Sequence, residues 1–533
     1  MRCLEGNSFP RRQRGAALLI LLSLLSVAIA YAVVAGLNRS AGDIARARDL
    51  KTYAALAQAK AAMIAYAVTY KDTHDKPASN SYTVPGYLPC PDLGTSAYEG
   101  QAASTCGGSL VSVMGRLPWR TLGLDTLKDS SGECLWYAVS GTYKNYLNAV
   151  SGSTTTSNMM NWDNNGQFNV MDTDGVTILT GSTDDTNAVA VIFAPGAALA
   201  GQDRTPAAGT TNCGGNYSAA AYLETAGGIN NSVVSGTALA PSSFIAGTAS
   251  NTFNDKLVYI TRADIWNAIK KRADFNNYLR AMTRLAAECV ANYGNHNGGG
   301  DARLPWPSNV SLSGTSVPTY AVNAQYDDAA NLMAGRLSFN VNNSATSTNN
   351  DLPHGTPSYI FSDLFNSYCN SDSAPYSADQ QVWYDHWKDQ LFYAVANDFK
   401  PSAAWSWWSQ WFCGTCLKIN NDGNNYAAVV MLAGEKLAGQ ARNTAADRGS
   451  IANYLEGRNL TTYPNSAGNS NYQAAVASTG FNDVVYAIDT YLNVWCSKPN
   501  GVMRSVPGAT TAPPGTGNLG AYYTDLADYA ACP

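Results

Sequence analysis

Charged side chains are scarce in this sequence. They make up 14% of the 533 residues, against about 25% in an ordinary soluble domain. Serine, threonine, asparagine, glycine and tyrosine take their place, as is common in proteins outside the cytoplasm. The formal net charge is −5, and no stretch concentrates lysine and arginine into a basic stripe. The composition therefore argues against nucleic acid as a partner, because affinity for a phosphate backbone depends on such stripes.

Histidine and recognisable catalytic motifs are scarce as well. The four histidines stand alone, and none belongs to an HExxH pattern: His74, His296, His354 and His386. The sequence also lacks a GxSxG nucleophile elbow. These absences predict a protein that is not an enzyme and has no cofactor. A membrane-anchored extracytoplasmic enzyme stays open as an alternative.

One long apolar run is present, in "RRQRGAALLILLSLLSVAIAYAVVAGLNR". Residues 16–37 carry no charge, and as a helix they would span about 33 Å, enough to cross a bilayer. The three arginines before them would stay in the cytoplasm. A secretory signal is the competing interpretation, with a small-x-small cleavage site at 28–30 before Tyr31. The apolar residues continue past that site, which favours an anchor.

Cysteine is not scarce, and its distribution indicates disulfides. Cys3 precedes the apolar run. Ten cysteines, an even number, follow it: Cys90, Cys106, Cys134, Cys213, Cys289, Cys369, Cys413, Cys416, Cys496 and Cys532. An even count beyond a membrane segment is typical of an oxidising compartment. We expect Cys90 to pair with Cys106 across a glycine-rich loop. Cys413 could close on Cys416, with half a zinc site or a redox pair as the alternatives.

Two successive parts of the sequence are similar to each other. "NAVAVIFAPGAALAGQDR" (187–204) aligns without gaps on "NYAAVVMLAGEKLAGQAR" (425–442). Other short matches flank these segments in the same order. Upstream, "GRLPW" matches "GRLSF" and "LWYAV" matches "LFYAV"; downstream, "YLE" matches "YLE" and "FNDKLVYI" matches "FNDVVYAI". Such ordered self-similarity indicates a duplication. The short β-prone runs, separated by glycine, asparagine, serine and aspartate, predict antiparallel sheets, with "AVAVIF" and "AAVVML" as equivalent central strands.

Each copy opens with a helical pattern. In copy one an apolar stripe recurs every three or four residues: Leu50, Tyr53, Ala57, Ala61, Ile64 and Val68. In copy two Thr261 can cap a helix with Asp264. An apolar period then follows: Ile265, Ile269, Leu279, Met282, Leu285, Cys289 and Tyr293. If unbroken, this second helix would be about 50 Å long. Two polar loops, 151–167 and 341–352, are predicted to be exposed insertions.

Asp172 and Asp174, followed by Gly175, are the nearest approach to a metal motif. A calcium loop would also need a downstream glutamate, which is missing. Asp422-Gly423 occupies the matching place in copy two, and Asp-Gly pairs favour hairpin turns. The pattern favours a turn, with calcium at Asp172 and Asp174 as the weaker alternative.

A tryptophan-rich segment, 383–416, has no counterpart in copy one. It holds six of the twelve tryptophans: Trp383, Trp387, Trp405, Trp407, Trp408 and Trp411. Exposed tryptophans can bind sugar faces or protein partners, and we name Trp405, Trp407, Trp408 and Trp411 as candidate ligand-binding residues. The alternative is a core under the second sheet, stapled by Cys413 and Cys416, because large aromatic side chains are mostly buried.

A charged leader ending in Gly15, an apolar helix continuing into an amphipathic one, and a β-sheet head resemble the type IV pilins and type II secretion pseudopilins. The resemblance implies that a prepilin peptidase cleaves between Gly15 and Ala16 and methylates the new amine. Most pilins carry glutamate at the fifth mature position, where this sequence has Ile20. A subunit without that carboxylate cannot neutralise the amine of a subunit above it, so it fits best at a filament tip.

These observations predict an α+β, pilin-like fold: a leader at 1–15, a transmembrane stem helix at 16–37, duplicated heads at 38–260 and 261–500, and a tail at 501–533. The function implied is that of a minor, tip-type pilin or pseudopilin. Its partners would be other pilin subunits, the peptidase and the inner membrane, which it spans once before assembly, with the head extracytoplasmic. A tip adhesin that binds a glycan or surface receptor is the alternative.

Overall fold

The computed structural model describes residues 14–79, 81–145, 159–296, 302–313, 317–341, 377–403, 408–506 and 530–532, with the backbone alone over 14–41. The first helix, α1, runs without interruption from Arg14 to His74. The side chains of the predicted membrane span, 16–37, lie outside the described residues. Among the side chains that are described, no helix is both long and apolar enough to cross a membrane.

Copy one folds into a seven-stranded sheet. Its strands are β1 (Val113–Arg116), β2 (Trp136–Val139), β3 (Phe168–Met171), β4 (Ile178–Thr180), β5 (Ala188–Ala194), β8 (Ser242–Ile245) and β9 (Lys256–Thr261). Strand β5 lies at the centre, antiparallel to β2 on one side and β9 on the other. All seven residues of β5 are buried, which explains the unbroken apolar run. The pairing of β3 with β8 is parallel, which the sequence did not predict.

Copy two folds into a six-stranded antiparallel sheet. Its strands are β10 (Ala334–Arg336), β11 (Leu391–Val395), β13 (Tyr426–Leu432), β15 (Val484–Asp489), β16 (Val494–Ser497) and β17 (Met503–Ser505). Strand β13 is central, between β11 and β15. Two further sheets have two strands each. In one, β6 (Thr225–Ala226) pairs with β7 (Ile229–Asn230), and in the other, β12 (Lys418–Ile419) pairs with β14 (Asn471–Tyr472).

The duplication predicted from the sequence is visible in the strand order. The antiparallel series β1-β2-β5-β9 in copy one matches β10-β11-β13-β15 in copy two. The predicted central strands, "AVAVIF" and "AAVVML", are β5 and β13. Even an irregularity recurs, because the register shifts between Ala188 and Ala190 in one sheet and between Tyr426 and Ala428 in the other.

One helix covers a face of each sheet. Helix α1 packs on β5 and β9, and helix α3 (Phe275–His296) packs on β13, β15 and β16. Helix α2 (Arg262–Ile269) begins with the predicted capping box between Thr261 and Asp264. The expectation of one unbroken helix after Thr261 is wrong, because the chain turns at 270–274. There Arg272 forms ion pairs with Asp72 and Asp274, so α2 packs beside α1 while α3 covers the second sheet.

The apolar stripe predicted for α1 is only partly covered. The buried side chains of this helix include Thr52, Leu56, Ala59, Met63, Ala67 and Tyr70. From the predicted stripe, Ile64 and Val68 pack partly buried against the core, whereas Leu50 and Tyr53 are 66% and 50% exposed. The segment is so rich in alanine that it offers two apolar faces, and sequence periodicity alone could not decide which one the sheet would cover.

Residues 159–167 are not an exposed insertion, as the sequence suggested, but a buried connection between the copies. Trp162 contacts Trp387 edge to face, with ring centroids 6.2 Å apart. Trp266 and Phe275 join the same cluster. A continuous apolar core therefore extends from α1 through both copies. Residues 146–158 and 342–352 lie outside the described residues.

The remaining α-helices of the described residues are short and lie in copy two: α4 (Ser377–Trp387), α5 (Trp408–Trp411), α6 (Ala445–Arg448) and α7 (Gly457–Thr461). The segment predicted as a tail begins with β17, which adds to the second sheet beside β16. Cys532 is bonded to Cys496 on β16. Copy two therefore extends past residue 500, and both ends of the predicted tail are attached to it.

Candidate functional site

The tryptophan-rich segment divides between core and surface. Trp383 and Trp387, on α4, are fully buried, with their rings stacked at 4.8 Å. Trp408 and Trp411, on α5, are 52% and 64% exposed. The core interpretation is therefore confirmed for Trp383 and Trp387, and the exposed Trp408 and Trp411 stay candidates for ligand binding. The candidate residues Trp405 and Trp407 lie outside the described residues.

Four exposed aromatic side chains form what we call the aromatic platform: Trp408, Trp411, Phe412 and Tyr491. Trp408, Trp411 and Phe412 are spaced i, i+3, i+4, which places them on one side of a helical turn. Trp408 and Phe412 lie 5.7 Å apart at a tilt of 34°, and Trp411 meets Tyr491 edge to face at 6.0 Å. Neither pair is a parallel stack, so the rings do not cover each other face to face.

The backbone under the platform is firmly held. Cys413 and Cys416 form a disulfide directly after α5. The Asp398 carboxylate accepts hydrogen bonds from the backbone N–H groups of Gly414 and Thr415 at 3.0 and 3.1 Å. The hydroxyl of Thr490, next to Tyr491, donates to the carbonyl of Gln410 at 2.9 Å. The loop that carries Tyr491 is thus fixed to the segment that carries the tryptophans.

The recurring "AGQxR" motif forms the same polar cage in each copy. The Arg204 guanidinium donates to the carbonyls of Gly196 and Ala221, both at 2.9 Å, and lies 4.5 Å from the Tyr222 ring centroid. Arg442 donates to the carbonyls of Gly434 and Asn453 at 3.0 and 2.6 Å and lies 4.3 Å from the Tyr454 ring. Recurrence of these contacts in both copies favours a structural role for Gln202, Arg204, Gln440 and Arg442 over a single active site.

The duplicated "GRL" motif belongs to the same cage, which sequence reasoning missed. Arg116 lies 5.7 Å from the Tyr222 ring that Arg204 also contacts. In copy two Arg336, fully buried, lies 4.7 Å from the Tyr454 ring. Each copy thus holds one tyrosine ring within reach of two guanidinium groups, a cation–π arrangement that gains strength where water is excluded. The joint recurrence of "GRL", "GQxR" and "YLE" was the signal that could have revealed it.

Each copy also buries a pair of carboxyl groups, from the recurring "YLE" and "FND". In copy one the Asp255 carboxylate accepts the backbone N–H of Glu224 at 2.9 Å, while Glu224 accepts that of Asn254 at 2.9 Å. In copy two Asp483 accepts the N–H of Glu456 at 3.2 Å. Burial, reinforced by the neighbouring glutamate, raises the pKa of Asp255 and of Asp483 well above the ordinary value. Each pair therefore tends to retain a proton.

Charged side chains also join the two copies. Arg442 donates to Asp163 of copy one at 3.0 Å, and the two side chains are 0% and 1% exposed. Arg448 forms an ion pair with Asp389 close by. Beside them a cleft of about 280 Å³ opens between the copies, and its lining mixes apolar, amide and charged side chains. The Asn165 side-chain amide donates to the Asn443 side-chain carbonyl across it at 3.0 Å.

Asp172 and Asp174 lie in the turn between β3 and β4. The Asp174 carboxylate accepts hydrogen bonds from the backbone of Val176 and Thr177 at 2.9 and 2.7 Å. The structure places both residues in a turn, the interpretation that the sequence favoured. Among the described residues, no group of three or more histidine, cysteine, aspartate or glutamate side chains is arranged to hold a metal ion.

The disulfides predicted from the cysteine count are present. Cys90 pairs with Cys106, Cys134 with Cys213, Cys413 with Cys416, and Cys496 with Cys532. Cys289 is disulfide-bonded as well. The first and third pairings were foreseen from the sequence, whereas the second joins residues 79 positions apart, a separation at which spacing gives no guidance.

Gly15 and Ala16, the predicted processing residues, lie in the first turns of α1, and their side chains lie outside the described residues. No protein-family model, curated protein or solved structure matches this chain.

Proposed function

We propose that this chain is a non-enzymatic minor pilin or pseudopilin, the tip or initiating subunit of a type IV pilus-like or type II secretion filament. The observation that carries the proposal is the continuous helix Arg14–His74, whose second half packs on an antiparallel sheet while its first half continues beyond that sheet. Its partners are other pilin subunits, prepilin peptidase and, before assembly, the inner membrane, with the duplicated head outside.

The outward face of α1 supports an assembly role. Leu50 and Tyr53 are 66% and 50% exposed, and the small side chains of Ala57 and Ala61 continue the same exposed face. An exposed apolar stripe of this kind costs solvation free energy until something covers it. Small residues let helices approach closely, so the stripe suits packing against the stems of neighbouring subunits.

Processing gives the first test. If the N-terminal segment is a pilin stem, the mature chain begins at Ala16 with a methylated amine, and Gly15→Val abolishes cleavage. N-terminal mass spectrometry of protein from cells with and without prepilin peptidase identifies the first residue of the chain and the methylation of its amine. As a control, Ala28→Val should leave the mature N-terminus unchanged. A mature chain that begins at Tyr31 would contradict the proposal, since it would identify an ordinary secretory signal.

Position in the filament gives the second test. Ile20 leaves the buried amine of a subunit above it unpaired, which should disfavour a place in the shaft by a few kcal/mol. Gold-labelled antibody against the head should therefore mark filament ends in the wild type. Ile20→Glu should allow some label along the shaft, limited by the bulk of the doubled head, whereas Ile20→Leu should not. Even labelling of wild-type shafts would refute the tip assignment.

The aromatic platform favours a second candidate function, adhesion. Exposed tryptophan and tyrosine offer large, rigid contact areas with a polar edge. A subunit at a filament end would present such a surface to whatever the filament meets. The two functions are compatible, because one concerns the stem and the other the head.

A further inference from the structure

The occupant of the aromatic platform can be narrowed by its surroundings. Two aspartates hold the platform: Asp398 beneath the disulfide loop, and Asp489, which accepts the backbone N–H of Tyr491 at 2.9 Å and the indole N–H of Trp495 at 3.0 Å. Negative charge at these two positions disfavours an anionic lipid surface or a sulfated chain by like-charge repulsion. A neutral ligand meets no such penalty.

The shape of the platform further narrows the choice of ligand. The rings form two pairs, Trp408 with Phe412 and Trp411 with Tyr491, tilted by 34° and 83°, so that neither pair covers its ring faces by stacking. A protein partner generally needs a contiguous apolar centre with a polar rim. Exposed ring faces that are tilted away from one another instead match a sugar chain. Each pyranose ring of such a chain offers a face of C–H groups to the negative face of an aromatic ring and hydroxyl groups at its edge.

The rigidity of the segments that carry the platform also favours a sugar ligand. Contacts between one sugar and one aromatic ring are individually weak, so they yield useful affinity only when little conformational entropy is lost on binding. The disulfide after α5, the backbone hydrogen bonds to Asp398 and the bond from Thr490 to Gln410 hold the ring-bearing segments before any ligand arrives. Binding then requires only the rotamers of four side chains to settle.

We propose that the aromatic platform of copy two binds neutral polysaccharides built of β-linked pyranoses, whose equatorial substituents leave C–H faces free on both sides of each sugar ring. This inference deepens the adhesion function and does not depend on filament assembly. Copy one carries no equivalent of α5 in its sequence, so the proposed binding site belongs to copy two alone.

Binding of the full-length protein to insoluble cellulose and chitin, followed by titration with cellohexaose and chitohexaose, tests the proposal. We expect retention on at least one polymer, and about tenfold or greater loss of affinity in Trp411→Ala and in Phe412→Ala. Tyr98→Ala is the matched control, since Tyr98 is 63% exposed in copy one, outside the platform, and it should bind as the wild type does. Thermal unfolding should be alike in all four proteins.

Three results would overturn the proposal. The first is no binding of the wild type to either polymer or oligosaccharide. The second is equal binding by Trp411→Ala and wild type. The third is platform-dependent binding to phosphatidylglycerol vesicles, or to a protein partner, in place of the sugars. The processing test on Gly15 is independent, so failure of the pilin proposal and failure of this one are distinguishable.

Discussion

Replacing Arg442 with methionine is expected to lower the free energy of unfolding by about 3–5 kcal/mol, because it leaves a buried carboxylate without its charge partner. Arg442 and Asp163 are 0% and 1% exposed in their side chains, and they are 3.0 Å apart. The same substitution removes donors to the carbonyls of Gly434 and Asn453. Chemical denaturation followed by tryptophan fluorescence measures the change.

The duplication provides a matched control for this prediction. Arg204 makes the equivalent carbonyl contacts in copy one, but its carboxylate partner, Glu133, is 25% exposed. Water can solvate that carboxylate when the guanidinium is lost, so Arg204→Met should cost about 1–3 kcal/mol. Adding Asp163→Asn to Arg442→Met should recover part of the loss, since it removes the unpaired charge. Equal costs for the two arginine variants, with no recovery, would contradict the assignment.

Replacing Asp483 with asparagine is expected to flatten the dependence of stability on pH. The pKa of Asp483 is raised in the folded state, mainly by burial and further by Glu456. Its favourable contribution is therefore complete below the ordinary aspartate pKa and is lost as pH rises toward the folded-state pKa. Over that range the folded state retains a proton that the unfolded chain releases, which costs about 1.4 kcal/mol per pH unit.

Unfolding free energies measured from pH 4 upward would test this prediction. Asparagine keeps the shape of the protonated acid and cannot ionise, so Asp483→Asn should gain relative stability as pH rises. Asp255→Asn should change the pH dependence of stability in the same direction through the equivalent pair of copy one. The double variant should show the sum of both effects because the pairs are independent. Asp43→Asn, at an exposed position, should leave the pH profile unchanged. A steeper profile in Asp483→Asn would mean that the carboxylate is the form the fold prefers.

Local sequence signals correctly predicted several elements. The cap at Thr261, the Asp-Gly turn after β3 and the bond from Cys90 to Cys106 all depend on residues close in sequence, whose chemistry acts over one turn or one loop. The central strands β5 and β13 were predicted because strands buried on both faces need an unbroken apolar run. Each of these features would arise in much the same way in any fold that contained the segment.

Signals that depend on distant packing were misleading. Leu50 and Tyr53 belong to a regular apolar stripe, yet the sheet covers the neighbouring face of α1, which is equally apolar because of its alanines. Residues 159–167 are polar enough to be taken for an exposed loop. They are buried because the cavity between the copies offers them partners such as Arg442 and Gln390.

By itself, the sequence determined the duplication, the central strand of each copy, the use of disulfides and the single apolar segment at the start. These follow from period, composition and repetition, which are properties of the chain. Only the tertiary structure decided which tryptophans form the core and which form the platform, and in each copy it gathered three repeated motifs into one polar cage. Burial and charge pairing are set by neighbours remote in sequence, because the free energy of a buried group depends on what surrounds it.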